Sequence, residues 1–186
     1  MNKIKILFDS YHLYHLPQFD PVINLLSKDD MFEVFHSTCS ENKKEEVELC
    51  LSILKSKPGE LIFADSEIER IEKIRKLDLD VFICGWSRYP ISKFVSDTVL
   101  VAMIYHGIGV KPSYWRDNSD RLNIRFVEGQ YRIDQLRKNG VKTKLELTGF
   151  TKLDPLFNDG LDDLSPLKNS LGLDLNKKTI LFAPTF

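Results

Sequence analysis

Cysteine is scarce in this chain: Cys39, Cys50 and Cys84 are the only three among 186 residues. An odd number with no ligand-like spacing excludes both a disulfide framework and a zinc site as the organising device. Cys50 and Cys84 lie among apolar neighbours and read as small core residues. No apolar run is long enough to span a bilayer. The stretch after Lys3 and Lys5 is broken by Asp9, so it does not read as a secretory signal. Internal repeats and low-complexity tracts are missing too. Neither sign of charge is in surplus, with 26 Lys and Arg against 27 Asp and Glu. What remains, 42% hydrophobic and 28% charged, is the composition of an ordinary globular protein. The expected location is the cytoplasm.

The near-zero balance hides an asymmetry. Residues 111–152 hold ten Lys and Arg against five Asp and Glu, and the rest of the chain holds sixteen against twenty-two. A basic segment in an acidic chain suits an anion-facing surface, whether phosphate, nucleotide or acidic lipid, and equally suits a merely solvated face. No nucleic-acid-binding motif accompanies it, so DNA and RNA are not expected partners.

Apolar segments alternate with helical ones. Strands are expected at 4–8, 32–35, 61–64, 81–84, 99–105, 124–127 and 145–148, mostly as continuous apolar runs of the kind a doubly covered parallel sheet needs. Val47, Cys50, Leu51 and Leu54 recur at helical spacing behind Ser40 as a prospective cap. Ser66 and Glu69 have capping-box spacing. Ile133 and Leu136 line a further helix that ends in Arg137, Lys138 and a left-handed Gly140. The alternation implies right-handed βαβ units in a Rossmann-like α/β sheet flanked by helices. The polar run FNDGLDD marks a boundary, giving a domain over 1–160 and a linker with a short helix over 161–178, opened by Ser165-Pro166 and closed by Gly172. Residues 179–186, ILFAPTF after Thr179, read as the first strand of a second domain cut short, which would place an active site between the two.

In such sheets ligands gather where strands end at their carboxyl edge. His106 follows the most apolar strand and precedes Gly107 and Gly109, which permit a tight turn and close approach to a ligand. Lys111 adds a cation. An imidazole there is suited to act as general base on a hydroxyl, against the plainer alternative of a loop histidine bonded to backbone. The first strand ends in DSYHLYH, so Tyr11 and His12 are candidate acceptor contacts, with packing as the alternative. His12 and His15 lack the further ligands a metal requires. Glu128 and the pair Lys152 and Asp154 follow later strands and rim the same cleft, although Asp154 before Pro155 also reads as a turn residue. Tyr114 and Trp115 read as packing residues of a long loop.

Three of these stretches, His106-Gly107, Gly149-Phe150-Thr151-Lys152-Leu153-Asp154 and LFAPTF, occur in an order that resembles the CDP-glycerol glycerophosphotransferase family of teichoic acid and capsule synthesis. HLPQFDP resembles that family's first loop and helix. Ile108 and Phe186 depart from the family's usual HGT and APTW. The resemblance implies a GT-B architecture of two Rossmann-like domains, this chain being the acceptor side and the donor CDP-glycerol resting on the other. It implies a transferase moving glycerol phosphate to an anionic polymer or lipid-linked acceptor, with CMP released, His106 as catalytic base, no cofactor, and peripheral contact with the inner face of the membrane. Another GT-B enzyme, such as a nucleotide-sugar transferase or a UDP-GlcNAc 2-epimerase-like protein, is the alternative. A non-catalytic Rossmann-like binding module is the other.

Overall fold

The computed structural model describes residues 2–86, 90–109, 112–115, 119, 121–158 and 163–183. Two compact units are present, residues 1–153 and residues 154–186.

The first unit is built on seven strands: β1 (Ile4–Ser10), β2 (Phe32–Thr38), β3 (Glu60–Ile62), β4 (Val81–Cys84), β5 (Leu100–Ile104), β6 (Ile124–Val127) and β7 (Lys144–Leu147). They form one sheet in the order β3-β2-β1-β4-β5-β6-β7, and every neighbouring pair is parallel. The expected Rossmann-like α/β sheet flanked by helices is what the chain forms.

Continuous apolar strands are explained by burial on both sides. Leu7, Phe35, Phe82, Val101 and Met103 face one core, shared with Ile74 and Leu136. Ile6, Phe8, Val34, Ile83, Ala102 and Ile104 face the other, shared with Phe19 and Ile23. Ile74 belongs to α3 (Glu67–Arg75) and Leu136 to α4 (Gln130–Lys138), whereas Phe19 and Ile23 belong to α1 (Leu16–Leu26). Helix α2 (Lys44–Leu54) joins the α1 side through Cys50 and Leu54, which pack on Leu16.

Local signals account for most helix ends. Ser66 caps α3 by accepting the Glu69 N–H, and Gly140 takes a left-handed φ of 80° just beyond α4, a conformation glycine adopts without strain. Ser40 does not cap α2. Lys43 occupies that position without a side-chain bond, while the Ser40 N–H and hydroxyl both donate to Glu67 Oε1, at 2.8 and 3.0 Å. An ionised carboxylate is the stronger acceptor, so Ser40 is recruited across space to α3.

In the second unit, α5 (Asp154–Asn158) and α6 (Ser165–Ser170) are short. Pro166 lies in the first turn of α6, and Gly172 has φ 67° beyond its end. The strand expected from Thr179 does not form: residues 178–183 have no regular structure, and Ile180, Leu181 and Phe182 are exposed. A strand is stabilised only by a paired neighbour, and the described residues of this unit contain none.

Candidate functional site

The strand order reverses direction between β1 and β4. From β1 the chain winds outward to β2 and β3, then crosses to β4 and continues to β7. At such a switch point the loops diverge and leave a crevice at the carboxyl ends of the strands. Three segments meet there: residues 11–15 after β1, residues 85–86 after β4, and residues 105–109 after β5.

His106 is half-buried in this crevice. Its Nδ1 lies 2.9 Å from the Gly85 carbonyl oxygen. A carbonyl only accepts, so Nδ1 carries the proton and Nε2 holds the lone pair. The Tyr114 hydroxyl lies 3.2 Å from that Nε2 and donates to it. The imidazole is therefore fixed in the tautomer a general base needs, with a phenol already on the accepting nitrogen.

The glycines of this turn make room for Tyr114. A Cβ on Gly109 would lie 2.1 Å from Tyr114 Cδ2, and one on Gly107 would lie 3.2 Å from Tyr114 Oη. Gly85 serves His15 in the same way, since a Cβ there would sit 2.7 Å from His15 Cγ. Tyr114, expected only to pack, and Gly85, which nothing in the sequence marks, are thus parts of the site.

The β1 loop brings its aromatic residues to the same place. The His106 ring lies 5.0 Å from Tyr14 and 5.2 Å from His15 between centroids. Tyr14 stacks on His12 at 4.9 Å, and His12 lies 5.0 Å from Tyr11 and 5.4 Å from Trp86. His15 is fully buried. Burial first, and then the nearby His106 and His12, push its pKa from 6.5 down to about 2, so it is neutral throughout the useful pH range. Tyr11 and His12 therefore share the crevice with His106.

Glu128 and Lys152 make no described hydrogen bond to the His106 ring. Glu128 Oε1 accepts from Arg132 Nε at 2.8 Å, and Arg132 Nη2 donates to the Gly109 carbonyl at 2.9 Å. Glu128 thus ties the turn at Gly109 to α4 through an arginine that is 3% exposed. Lys152 is exposed in the turn Thr151–Leu153, and that turn is held to α1 by the Thr151 hydroxyl donating to the Gln18 carbonyl at 2.7 Å. The described structure gives Lys152 no bond to the histidine cluster. Asp154 belongs to the second unit, in the first turn of α5. Lys111 lies outside the described residues.

No protein-family model and no curated protein matches the chain. Among solved structures, one from Listeria monocytogenes, described as a UDP-N-acetylglucosamine 2-epimerase, is similar at a TM-score of 0.57 and 16% identity. The match covers 92% of this chain and 52% of that protein, so this chain spans about half its length. The likeness is one of fold.

Beneath the crevice lies a charged cluster that sequence periodicity did not reveal. Asp9, the penultimate residue of β1, and Arg70 of α3 are both fully buried, 2.6 Å apart. Arg70 also donates to Ser37 Oγ at 2.5 Å and to both oxygens of Glu67, at 2.8 and 2.6 Å. Burial raises the Glu67 carboxyl, but the bonds and charge of Arg70, with Ser40, outweigh it and hold it below its ordinary value. The signal available was Arg70 one turn after Glu67 on an otherwise amphipathic helix. No described group of three or more His, Cys, Asp or Glu could hold a metal ion, and no described helix is long and apolar enough to cross a membrane.

Proposed function

We propose that this chain is the acceptor-side half of a nucleotide-dependent transferase that moves glycerol phosphate from CDP-glycerol to a hydroxyl-bearing acceptor. The observation that carries the reading is the bond from His106 Nδ1–H to the Gly85 carbonyl, which leaves Nε2 as proton acceptor at the switch-point crevice. The acceptor hydroxyl takes the place of the Tyr114 hydroxyl on Nε2 and passes its proton to the imidazole as its oxygen attacks the β-phosphate, with CMP leaving. Charge developing on the transferring phosphate calls for positioned cations or N–H groups, which this reading places on the donor side of the whole protein. The acceptor is a glycerol-phosphate polymer or lipid-linked glycan, reached by peripheral contact with a membrane.

A second reading is a UDP-N-acetylglucosamine 2-epimerase-like enzyme, favoured by the fold shared with the Listeria protein. One experiment separates them. The intact protein is given CDP-glycerol with glycerol-phosphate acceptors, or UDP-N-acetylglucosamine alone, and CMP release and epimer formation are followed. His106→Ala is expected to lower CMP release by a factor on the order of 10²–10⁴, the usual share of a general base. Wild-type turnover in His106→Ala removes the base, and epimer formation without CMP release selects the second reading.

A further inference from the structure

The crevice contains a second oriented imidazole. His12 Nδ1 lies 3.1 Å from Glu46 Oε1, and the same oxygen accepts the Leu13 N–H at 3.0 Å. A carboxylate only accepts, so the His12 proton sits on Nδ1 and the lone pair on Nε2. That Nε2 has no hydrogen-bond partner among the described residues, although the side chain is only 22% exposed. The arrangement matches that of His106 in tautomer and differs in what holds it: a carboxylate in place of a neutral carbonyl. Glu46 lies in the first turn of α2, where the helix N-terminus favours negative charge and the Leu13 N–H fixes its rotamer. The loop after β1 and the first turn of α2 combine to aim one ring.

We propose that His12, oriented by Glu46, is a second substrate-contacting residue that accepts a hydrogen bond from an uncharged hydroxyl of a polyol or sugar, next to the hydroxyl handled by His106. Three observations select that chemistry. Nε2 is an acceptor and therefore takes an O–H. Tyr11, Tyr14 and Trp86 lie 5.0, 4.9 and 5.4 Å from the imidazole between ring centres, an aromatic surround that suits the C–H face of a sugar or polyol carbon chain. Glu46 beside it, and the buried Asp9–Arg70–Glu67 cluster with one negative charge in excess behind Tyr11, disfavour a phosphate at this end. Any phosphate of the substrate then points away from His12. Tyr14, which touches both His12 and His106 rings, spaces the two acceptors so that one molecule can present a hydroxyl to each.

The proposal rests on the reading of the crevice as a substrate site, and its first test is independent of the donor. Two-bond proton–nitrogen spectra of the histidine-labelled chain are expected to show His12 protonated on Nδ1 above neutral pH, and Glu46→Ala is expected to move the proton to Nε2, the tautomer free histidine prefers. Diethyl pyrocarbonate is expected to acylate His12 at least roughly tenfold faster than the buried His15 and His36, which react only through opening of the fold. In the intact protein, His12→Gln is expected to raise KM for the hydroxyl-bearing substrate about tenfold, the worth of one hydrogen bond, with KM for the nucleotide donor unchanged. A wild-type His12 protonated on Nε2, a His12 as unreactive as His15, or an unaltered substrate KM in His12→Gln overturns the proposal. Failure of both CDP-glycerol and UDP-N-acetylglucosamine to turn over overturns the proposed function instead, and the tautomer and acylation results still decide for or against His12.

Discussion

Two histidine rings 5.2 Å apart behave as opposites. His106 is half-open and presents a lone pair, while His15 is buried against Gly85 and stays neutral in the folded chain near neutral pH. Its folded pKa of about 2 lies below the unfolded 6.5, so the unfolded chain binds the extra proton between those values. Stability is thus unaffected by His15 above about pH 6.5 and falls as pH drops through the window below. His36, lowered by burial despite its bond to the Pro58 carbonyl, acts in the same direction. Urea midpoints are expected to drop steadily from pH 7 to pH 5, and His15→Gln is expected to flatten that slope; an equal slope in the variant would show that His15 is not buried neutral. His106 was legible in sequence because it ends an apolar strand before glycines. Tyr114 was not, because no periodicity tells where an irregular loop eight residues on will fold back.

At the scale of elements, the carboxyl end of β1 is pinned to α3 rather than capped by sequence neighbours. Arg70 pairs with both Asp9 and Glu67 within the sheet–helix interface, and its guanidinium lies 4.7 Å from the Phe94 ring centre. Removing the Asp9 charge takes from Arg70 Nη1 its fully buried carboxylate partner at 2.6 Å and leaves Glu67 as its remaining carboxylate. Asp9→Asn is expected to cost about 3 kcal/mol, read from urea unfolding, and to lower the midpoint without changing the slope. A loss within ordinary surface values would mean that Arg70 is satisfied by Glu67 alone. Glu67, with its folded pKa depressed, contributes fully at neutral pH and loses that contribution as pH falls through its folded value. The Ser66 cap of α3 followed from adjacent residues and was readable. The Ser40–Glu67 bond joins residues 27 apart and was not, since it depends on β2 and α3 being brought together.

For the molecule as a whole, the sheet was legible because most of its strands are continuous apolar runs that alternate with helical segments. Residues 179–183, part of the strand expected over 179–186, have no regular structure, because an apolar run forms a strand only where something pairs with it. Among the described residues, the buried members of the three apolar clusters fall between Ile6 and Val141, so residues 1–153 are expected to fold by themselves. A shortened chain ending at Leu153 should keep a cooperative melt; a non-cooperative one would show that residues 154–186 supply part of the core. The pairing of β1 with β4, Ile6 opposite Val81, has a kinetic consequence. It closes a loop that contains two strands and three helices, at a cost in chain entropy. The sequential parallel neighbours β1, β2 and β3, joined by single helical crossovers, can assemble early, whereas the crevice exists only once that long closure is made. His12 and His106 therefore become neighbours late in refolding, and a chain arrested before that step would hold much of its helix content and neither oriented imidazole.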